Sequence, residues 1–452
     1  MNIKLIQPKM SLRPMDSEFK RLMSPSLSLL VLAALTPQEH SISIEDENAY
    51  LLHLEDSPDA SPDLVGITVN VDTSNRAYQI AEYYRRKKVP VILGGIHVSA
   101  NPEEALQFAD SVCIGEAENV WLDILSDVKM GQLKQMYYST TIADPATIPI
   151  PRWSLTPSGK YLYTNIVVAS RGCPFKCEFC YNSCEYLHHQ YRNRPIANVL
   201  EEIKQLKTKH IMFIDDNLIG DIPWTRAFLE AIKPLGLKWN AAVSANILNH
   251  PDLLDQMEES GCHSLFIGFE SINEQSVRSV QKFQNKRTDY ERLIAELHKR
   301  GIMVNASLVF GFDHDTPQVF QNTLDWLVEN KVETMTAHIL TPYPGTVLYQ
   351  KFLTEGRITD FDLSHYNTSN VVFTPKQMTQ KELLKGYLWI YEEFYSFKNI
   401  IKRIPDHAKQ KAPYLLFSLI YRKFGKVVAR MASFGFMSAL GRLARKLSYN
   451  ID

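Results

Sequence analysis

Short apolar runs rich in β-branched residues alternate with amphipathic stretches along most of this chain, in two successive series. In the first series the strand-like runs cover residues 3–7, 41–45, 64–69, 89–93 and 111–114. Residues 27–35, 74–87, 102–108 and 117–129 carry helical periodicity between them. This alternation predicts a parallel, doubly wound sheet with helices on both faces, where ligands bind beyond the carboxyl ends of the strands at the switch point. The second series places strands at 165–169, 211–214, 239–243, 264–269, 303–310 and 334–340. Helices such as 197–206, 253–260, 289–299 and 318–328 fill the gaps. Six βα units predict a partial barrel whose functional loops follow the strand C-termini. The stretch 137–163, with Pro145, Pro149, Pro151 and Pro157, reads as the connector.

Composition narrows the class. The 452 residues leave room for two or three domains, and 45% apolar with 22% charged residues is ordinary for a globular chain. Three of the six cysteines fall in one short stretch, which is no disulfide framework and fits a reducing, cytoplasmic setting. The N-terminal residues read as a strand rather than a leader peptide, and no apolar run reaches the roughly 18 residues of a spanning helix. The net charge of −1 hides an asymmetry: residues 397–452 carry twelve Lys or Arg against two Asp. Within 414–448, apolar runs mix with Arg422, Lys423, Lys426, Arg430, Arg442, Arg445 and Lys446. Two readings fit this tail, a helical cap on the barrel and a helix lying on the inner face of an anionic membrane. Nothing in it matches a nucleic-acid reader, so nucleic acid is not an expected partner.

The densest chemistry lies in Arg171-Gly172-Cys173-Pro174-Phe175-Lys176-Cys177-Glu178-Phe179-Cys180. Thiolates this close on a Gly/Pro-bearing loop address one small centre, and soft sulfur selects iron–sulfur clusters, zinc or copper. Three thiolates on a four-iron cube leave one iron open. A structural zinc site usually draws on a second cysteine pair, and none stands at such spacing. Cys184 is an alternative fourth ligand or an ordinary thiol, and Cys113 and Cys262 read as core residues. The Cys-x3-Cys-x2-Cys spacing with Phe179 before the last cysteine resembles the signature of the radical S-adenosylmethionine (SAM) enzymes. That resemblance implies a 4Fe–4S cluster on Cys173, Cys177 and Cys180, whose open iron chelates SAM and whose electron cleaves it to a 5′-deoxyadenosyl radical.

The first series has its own signature. Thr68 ends one strand, Gly94-Gly95 ends the next, His97 follows, and Gly115-Glu116-Ala117-Glu118 follows the fifth. Together these resemble the Rossmann-like cobalamin-binding domain of cobalamin-dependent radical SAM enzymes, with Thr68, Gly94 and Gly95 lining the slot for the nucleotide tail. The Asp-x-His-x-x-Gly motif that supplies an axial histidine elsewhere is absent, and residues 8–24 hold no histidine. The resemblance therefore implies cobalamin held without a protein histidine on cobalt. From the residues alone, His97 reads as a loop hydrogen-bonding group, and Glu116 and Glu118 as caps of the next helix.

In the second series, polar groups close successive strands. By resemblance, Asp215, Asp216 and Asn217 contact the SAM amino group, Glu270 the ribose, and Ser307 and Gly311 the adenine, on which Phe179 stacks; residues 341–346 complete the pocket. The expected fold is α/β: a Rossmann-like domain at 1–136, a linker at 137–163, a partial (β/α)6 TIM barrel at 164–350 and a helical, basic extension at 351–452. The activity implied is cobalamin-dependent methylation of an unactivated carbon on a small-molecule substrate, lipid-like, isoprenoid or otherwise apolar. The resemblance also implies an electron donor such as flavodoxin or ferredoxin. Radical oxidation, ring closure or carbon–carbon coupling without methyl transfer is the alternative. A non-catalytic carrier and a zinc module are the readings from other classes.

Overall fold

The computed structural model describes residues 1–13, 18–49, 62–139, 141–157, 159–184, 190–419 and 443. The first sheet holds β1 (Asn2–Gln7), β2 (Ser41–Asp46), β3 (Leu64–Thr68), β4 (Val91–Gly94), β5 (Ser111–Ile114) and β6 (Met136–Tyr138) in the order β2-β1-β3-β4-β5-β6, all parallel. Successive side chains of a strand face opposite layers. Ile6, Val65, Ile67, Val91, Leu93 and Val112 accordingly pack with helix Ser74–Arg86 on one face. Leu5, Leu64, Ile92 and Cys113 pack with helices Leu27–Leu35 and Trp121–Lys129 on the other. The order switches at β1, so the loops after β1 and β3 open a crevice between them.

The second sheet begins with β7 (Ile166–Val167). A short antiparallel hairpin follows, β8 (Ser170–Arg171) with β9 (Arg192–Asn193). Then come β10 (His210–Phe213), β11 (Lys238–Val243), β12 (Cys262–Glu270), β13 (Met303–Phe310) and β14 (Thr334–Ile339). The order is β7-β10-β11-β12-β13-β14, all parallel, as a partial barrel requires. Outer helices bury Val199, Phe228, Leu253, Leu293 and Leu324 against it. The α/β class, the doubly wound first sheet and the six-stranded barrel are those read from the sequence.

Three details differ. Met136–Tyr138 pairs with β5 as a sixth strand, across the start of the stretch read as a connector; three residues are too short to show a period. The helix expected at 102–108 is Pro102–Leu106, and a further short helix that was not expected, Ile96–Ala100, precedes it, the two separated at Asn101. The strand expected at 165–169 stops at Val167, because the amides of Ala169 and Ser170 turn to the Asp215 carboxylate. The helical extension after 350 packs on the barrel. Its helix Gln380–Phe394 covers β14, with the Tyr391 hydroxyl bonded to both the N–H and the C=O of Ala337. A capping box of Thr379 and Glu382 starts this helix. Helix Ala408–Leu419 follows; the basic tail beyond it, apart from 443, lies outside the described residues. Among the described residues no helix is long and apolar enough to cross a membrane.

Candidate active site between two sheet mouths

The loops at the carboxyl ends of both sheets face each other. Asn75 donates to Asp362 at 2.7 Å, Asn367 to Ser11 at 3.2 Å, and a Cβ on Gly345 would come within 2.7 Å of the Ala100 methyl group. Between them is a cavity of about 260 Å³, lined by Ser11, Arg13, Asp72, Tyr181, Tyr343 and Tyr366 among others.

The cysteine loop reaches this cavity through Tyr181, next to Cys180. Cys173, Cys177 and Cys180 are free thiols, raised above their ordinary range first by burial, Cys180 to about 12. Each of Cys173 and Cys180 also feels its neighbours' charge and that of Asp216. Among the described residues no three metal-ligating side chains converge on a single ion. A cluster offers a separate iron to each of three thiolates, so the donor chemistry of the trio fits one. Cys184 stands apart: it is 1% exposed, and burial alone raises its thiol.

The three polar residues after β10 have different partners in the protein. Asp215 is buried and accepts from the Ala169 and Ser170 amides and from the Ser170 hydroxyl. It fixes the turn into the cysteine loop. Asn217 binds the Ser244 amide at 3.1 Å and ties β10 to β11. Only Asp216 opens to the mouth, beside Gly172 and Asn182.

At the end of β12 a bulge turns Glu270 to φ +63°, and its carboxylate folds back onto Lys282. A side chain on Gly268 would collide with both charged groups. Lys282 is buried; burial lowers its pKa, but the charges of Glu270 and Cys177 leave it above the ordinary lysine value. Sequence reasoning missed this cation because nothing in Gln281-Lys282-Phe283-Gln284 signals a site. Gln284 reaches the Cys177 sulfur at 3.8 Å. Glu270 is therefore committed to an ion pair, and Phe179, read as an adenine platform, meets Phe312 edge-on at 6.3 Å. Ser307 is buried on β13, level with Gly268. Gly311 has φ +103°, and a side chain there would strike Leu383 of the covering helix, so packing alone accounts for the glycine.

On the first sheet, Gly95 has φ +107°, and a Cβ there would come within 2.9 Å of the Val69 backbone and 3.2 Å of the Thr68 hydroxyl. Gly94 has ordinary space. His97 is fully buried in helix Ile96–Ala100, not on a loop. Its Nδ1 has no hydrogen-bond partner among the described residues, and Nε2 lies 3.5 Å from Glu104, long for a hydrogen bond. A glycine cradle next to an orphaned buried imidazole fits a ligand with polar groups, as a nucleotide tail has. Gly115 donates its amide to Ser99. Glu116 and Glu118 do not cap the next helix; they pair with Arg171 and Arg192 of the barrel hairpin.

Comparison with known proteins agrees with this geometry. Residues 167–327 match the radical SAM superfamily, 24–125 the B12 binding domain, and 346–435 a domain of unknown function, DUF4070. The chain is 30% identical to bacteriochlorophyllide d C-12(1)-methyltransferase of Chlorobaculum tepidum, over 88% of each chain. It is 26% identical to hopanoid C-2 methylase of Rhodopseudomonas palustris, over 75% of this chain and 66% of that one. Its fold is similar to the radical SAM methyltransferase TsrM of Kitasatospora setae, solved with cobalamin and a 4Fe–4S cluster: TM-score 0.69, 14% identity, 98% of this chain and 99% of the other. The chain therefore belongs to the cobalamin-dependent radical SAM methyltransferases, enzymes that work with a 4Fe–4S cluster, SAM and cobalamin.

Proposed function

We propose that this enzyme methylates an unactivated carbon of an apolar ring substrate, a tetrapyrrole or a polycyclic isoprenoid lipid, held between the two sheet mouths. The aromatic wall of the cavity carries this reading. Tyr181, next to Cys180, stacks on Tyr343 with ring centroids 4.9 Å apart and 19° between planes. Stacked rings offer a flat apolar face to a ring system. Burial holds the phenols of Tyr181 and Tyr343 neutral, and the buried Tyr181 hydroxyl has no hydrogen-bond partner among the described residues, which leaves it to donate to a bound molecule in this reading. Asp72 brings one carboxylate, raised by burial and eased by hydrogen bonds from Ser11. The similarity to relatives named for a bacteriochlorophyllide and a hopanoid points the same way.

In this reading Cys173, Cys177 and Cys180 hold the cluster, Asp216 and the Glu270–Lys282 pair border the SAM site, and Thr68, Gly94, Gly95 and His97 border the cobalamin tail. The bound cofactors supply hydrogen abstraction and methyl delivery. The protein's own share is to fix the cysteine loop through Asp215, to exclude water with the tyrosines and to bring the two mouths together. The same reading divides the chain into a first unit that runs through strand Met136–Tyr138, a linker to 163, the barrel at 164–350 and the extension at 351–452. It adds an electron donor of the flavodoxin or ferredoxin kind and contact of the basic tail with a membrane surface.

The test is anaerobic turnover with cobalamin, a strong reductant and methyl-deuterated SAM, offering a bacteriochlorophyllide-type tetrapyrrole and a hopanoid in parallel. Mass spectrometry should find the labelled methyl on one of them. A substrate altered without gaining label indicates ring closure or oxidation instead. Label on neither, with SAM consumed, sinks the apolar-ring reading.

A further inference from the structure

The carboxylate of Glu116 joins the two cofactor loops. The hairpin sets Arg171 directly opposite Arg192, a like-charge cross-strand pair that would weaken an isolated hairpin. Both guanidinium groups instead reach across to the first sheet. Glu116 Oε1 accepts from Arg171 Nη1 at 3.1 Å and Arg192 Nη2 at 2.7 Å, and Oε2 from Arg192 Nη1 at 2.8 Å and the Ala143 amide at 2.9 Å. Glu118 accepts from the other terminal nitrogen of Arg171. The four side chains are 14–24% exposed, so this is an interior clamp rather than an open-surface pair of little energetic weight. Burial works against the Glu116 charge, yet hydrogen bonds from Arg192 and the charges of Arg171 and Arg192 hold its carboxyl down at about 2.

The clamp continues in both directions. Toward the cluster, Arg171 is followed by Gly172 and Cys173; Gly172 has φ +79°, and a Cβ there would sit 2.8 Å from the Gln190 carbonyl. The loop entry is thus pinned to the hairpin. Toward the cobalamin cradle, Gly115 donates to the Ser99 hydroxyl at 3.0 Å, and that hydroxyl donates to the Gly95 carbonyl at 2.9 Å. Gly95 in turn lies against Thr68. A run of contacts with fixed partners therefore leads from the Gly94-Gly95 turn to the first cluster cysteine.

We propose that Glu116 is a positioning residue that couples the two sites: filling the cobalamin cradle orders the cysteine loop, so cobalamin and SAM bind cooperatively. Ordering a shared segment once lowers the cost of the second binding event, and linkage makes the effect reciprocal. This inference rests on the cofactors, not on the proposed substrate, and no substrate enters its test.

The experiment titrates SAM into the cluster-loaded full chain by calorimetry, without and with saturating hydroxocobalamin. It is repeated for Glu116→Gln, Arg192→Gln and the double variant. In the unmodified chain cobalamin should tighten SAM binding by about five-fold or more. Either single variant should reduce this to under about two-fold and the double variant no further, with SAM affinity in the absence of cobalamin held within about two-fold. Arg192→Lys should keep part of the coupling. The electron paramagnetic resonance spectrum of the reduced cluster should shift on adding cobalamin in the unmodified chain and shift less in the variants. Absence of coupling in the unmodified chain, undiminished coupling in the variants, or a parallel fall in SAM affinity with and without cobalamin each overturns the proposal. If the glutamine variants fail to load, Arg192→Lys decides by the same two readouts: coupling reduced supports it, coupling unchanged overturns it.

Discussion

Lys282→Met tests the electrostatics of the barrel mouth most directly. The side chains of Lys282 and Glu270 are 10% and 9% exposed, so solvent screens their pairing little. Removing one partner strands a buried carboxylate and costs roughly 3–5 kcal/mol. Glu270 also sits at φ +63°, a conformation a glutamate holds only when its surroundings enforce it. Removing both charges in Glu270→Gln/Lys282→Met should cost well under the sum of the two single changes, by about 2 kcal/mol or more. The lysine's pKa is raised above its ordinary 10.5 in the fold. Its contribution is therefore fully present below pH 10.5 and is lost only as pH rises through the folded value, so the penalty should be flat through the neutral range. Urea unfolding of the metal-free chain reads this out by fluorescence, since Trp224, Trp239 and Trp326 all pack in the barrel. A single-variant cost below about 1 kcal/mol, or strict additivity in the double variant, refutes the buried-pair argument.

Three further outcomes are expected. Cys173→Ala, Cys177→Ala and Cys180→Ala should each abolish iron–sulfur absorption after anaerobic reconstitution and 5′-deoxyadenosine formation, whereas Cys184→Ala should retain both; loss with Cys184→Ala would add it to the ligand set. Gly95→Ala should lose cobalamin, as its Cβ meets the Val69 backbone at a strained φ costing about 1–3 kcal/mol, while Gly94→Ala should bind normally by absorbance titration. Burial raises Asp215 to about 6 despite hydrogen bonds from Ser170 and Ala169. A carboxyl raised on folding stabilises most below its unfolded value of 3.8, and that contribution, about 3 kcal/mol, is lost as pH rises toward 6. Asp215→Asn should remove this slope, so the stability difference between parent and variant should change between pH 4 and 6 and stay constant above; a difference constant throughout contradicts the assignment.

What was legible in the sequence was what local periodicity and close spacing encode. The runs at 303–310 and 111–114 are strands with those very bounds, and three cysteines within eight residues need no fold to be grouped. What stayed hidden depends on residues far apart in the chain. Glu116 reads as a helix cap because helix Trp121–Lys129 follows it closely, yet its charge is claimed by arginines 55 and 76 residues away. Lys282 becomes a site residue only when the bulge in β12 swings Glu270 back over Gly268. Neither event leaves a local pattern.

Residues 215–217 differ, because their separate roles in the fold follow from local information. Adjacent side chains at a strand end point to opposite sides, so three consecutive polar residues do not share one ligand. Their burial follows that rule: Asp215 and Asn217 are buried and Asp216 is exposed. The two inward groups each satisfy backbone amides that the sheet leaves unpaired, at Ala169 and Ser170 on one side and at Ser244 on the other. Such amides need an acceptor wherever a strand ends early, and β7 ends early at Val167. The truncated strand and the buried Asp215 are thus one feature: the carboxylate replaces the ladder, and the chain, released from the sheet, turns into the loop that carries Cys173, Cys177 and Cys180.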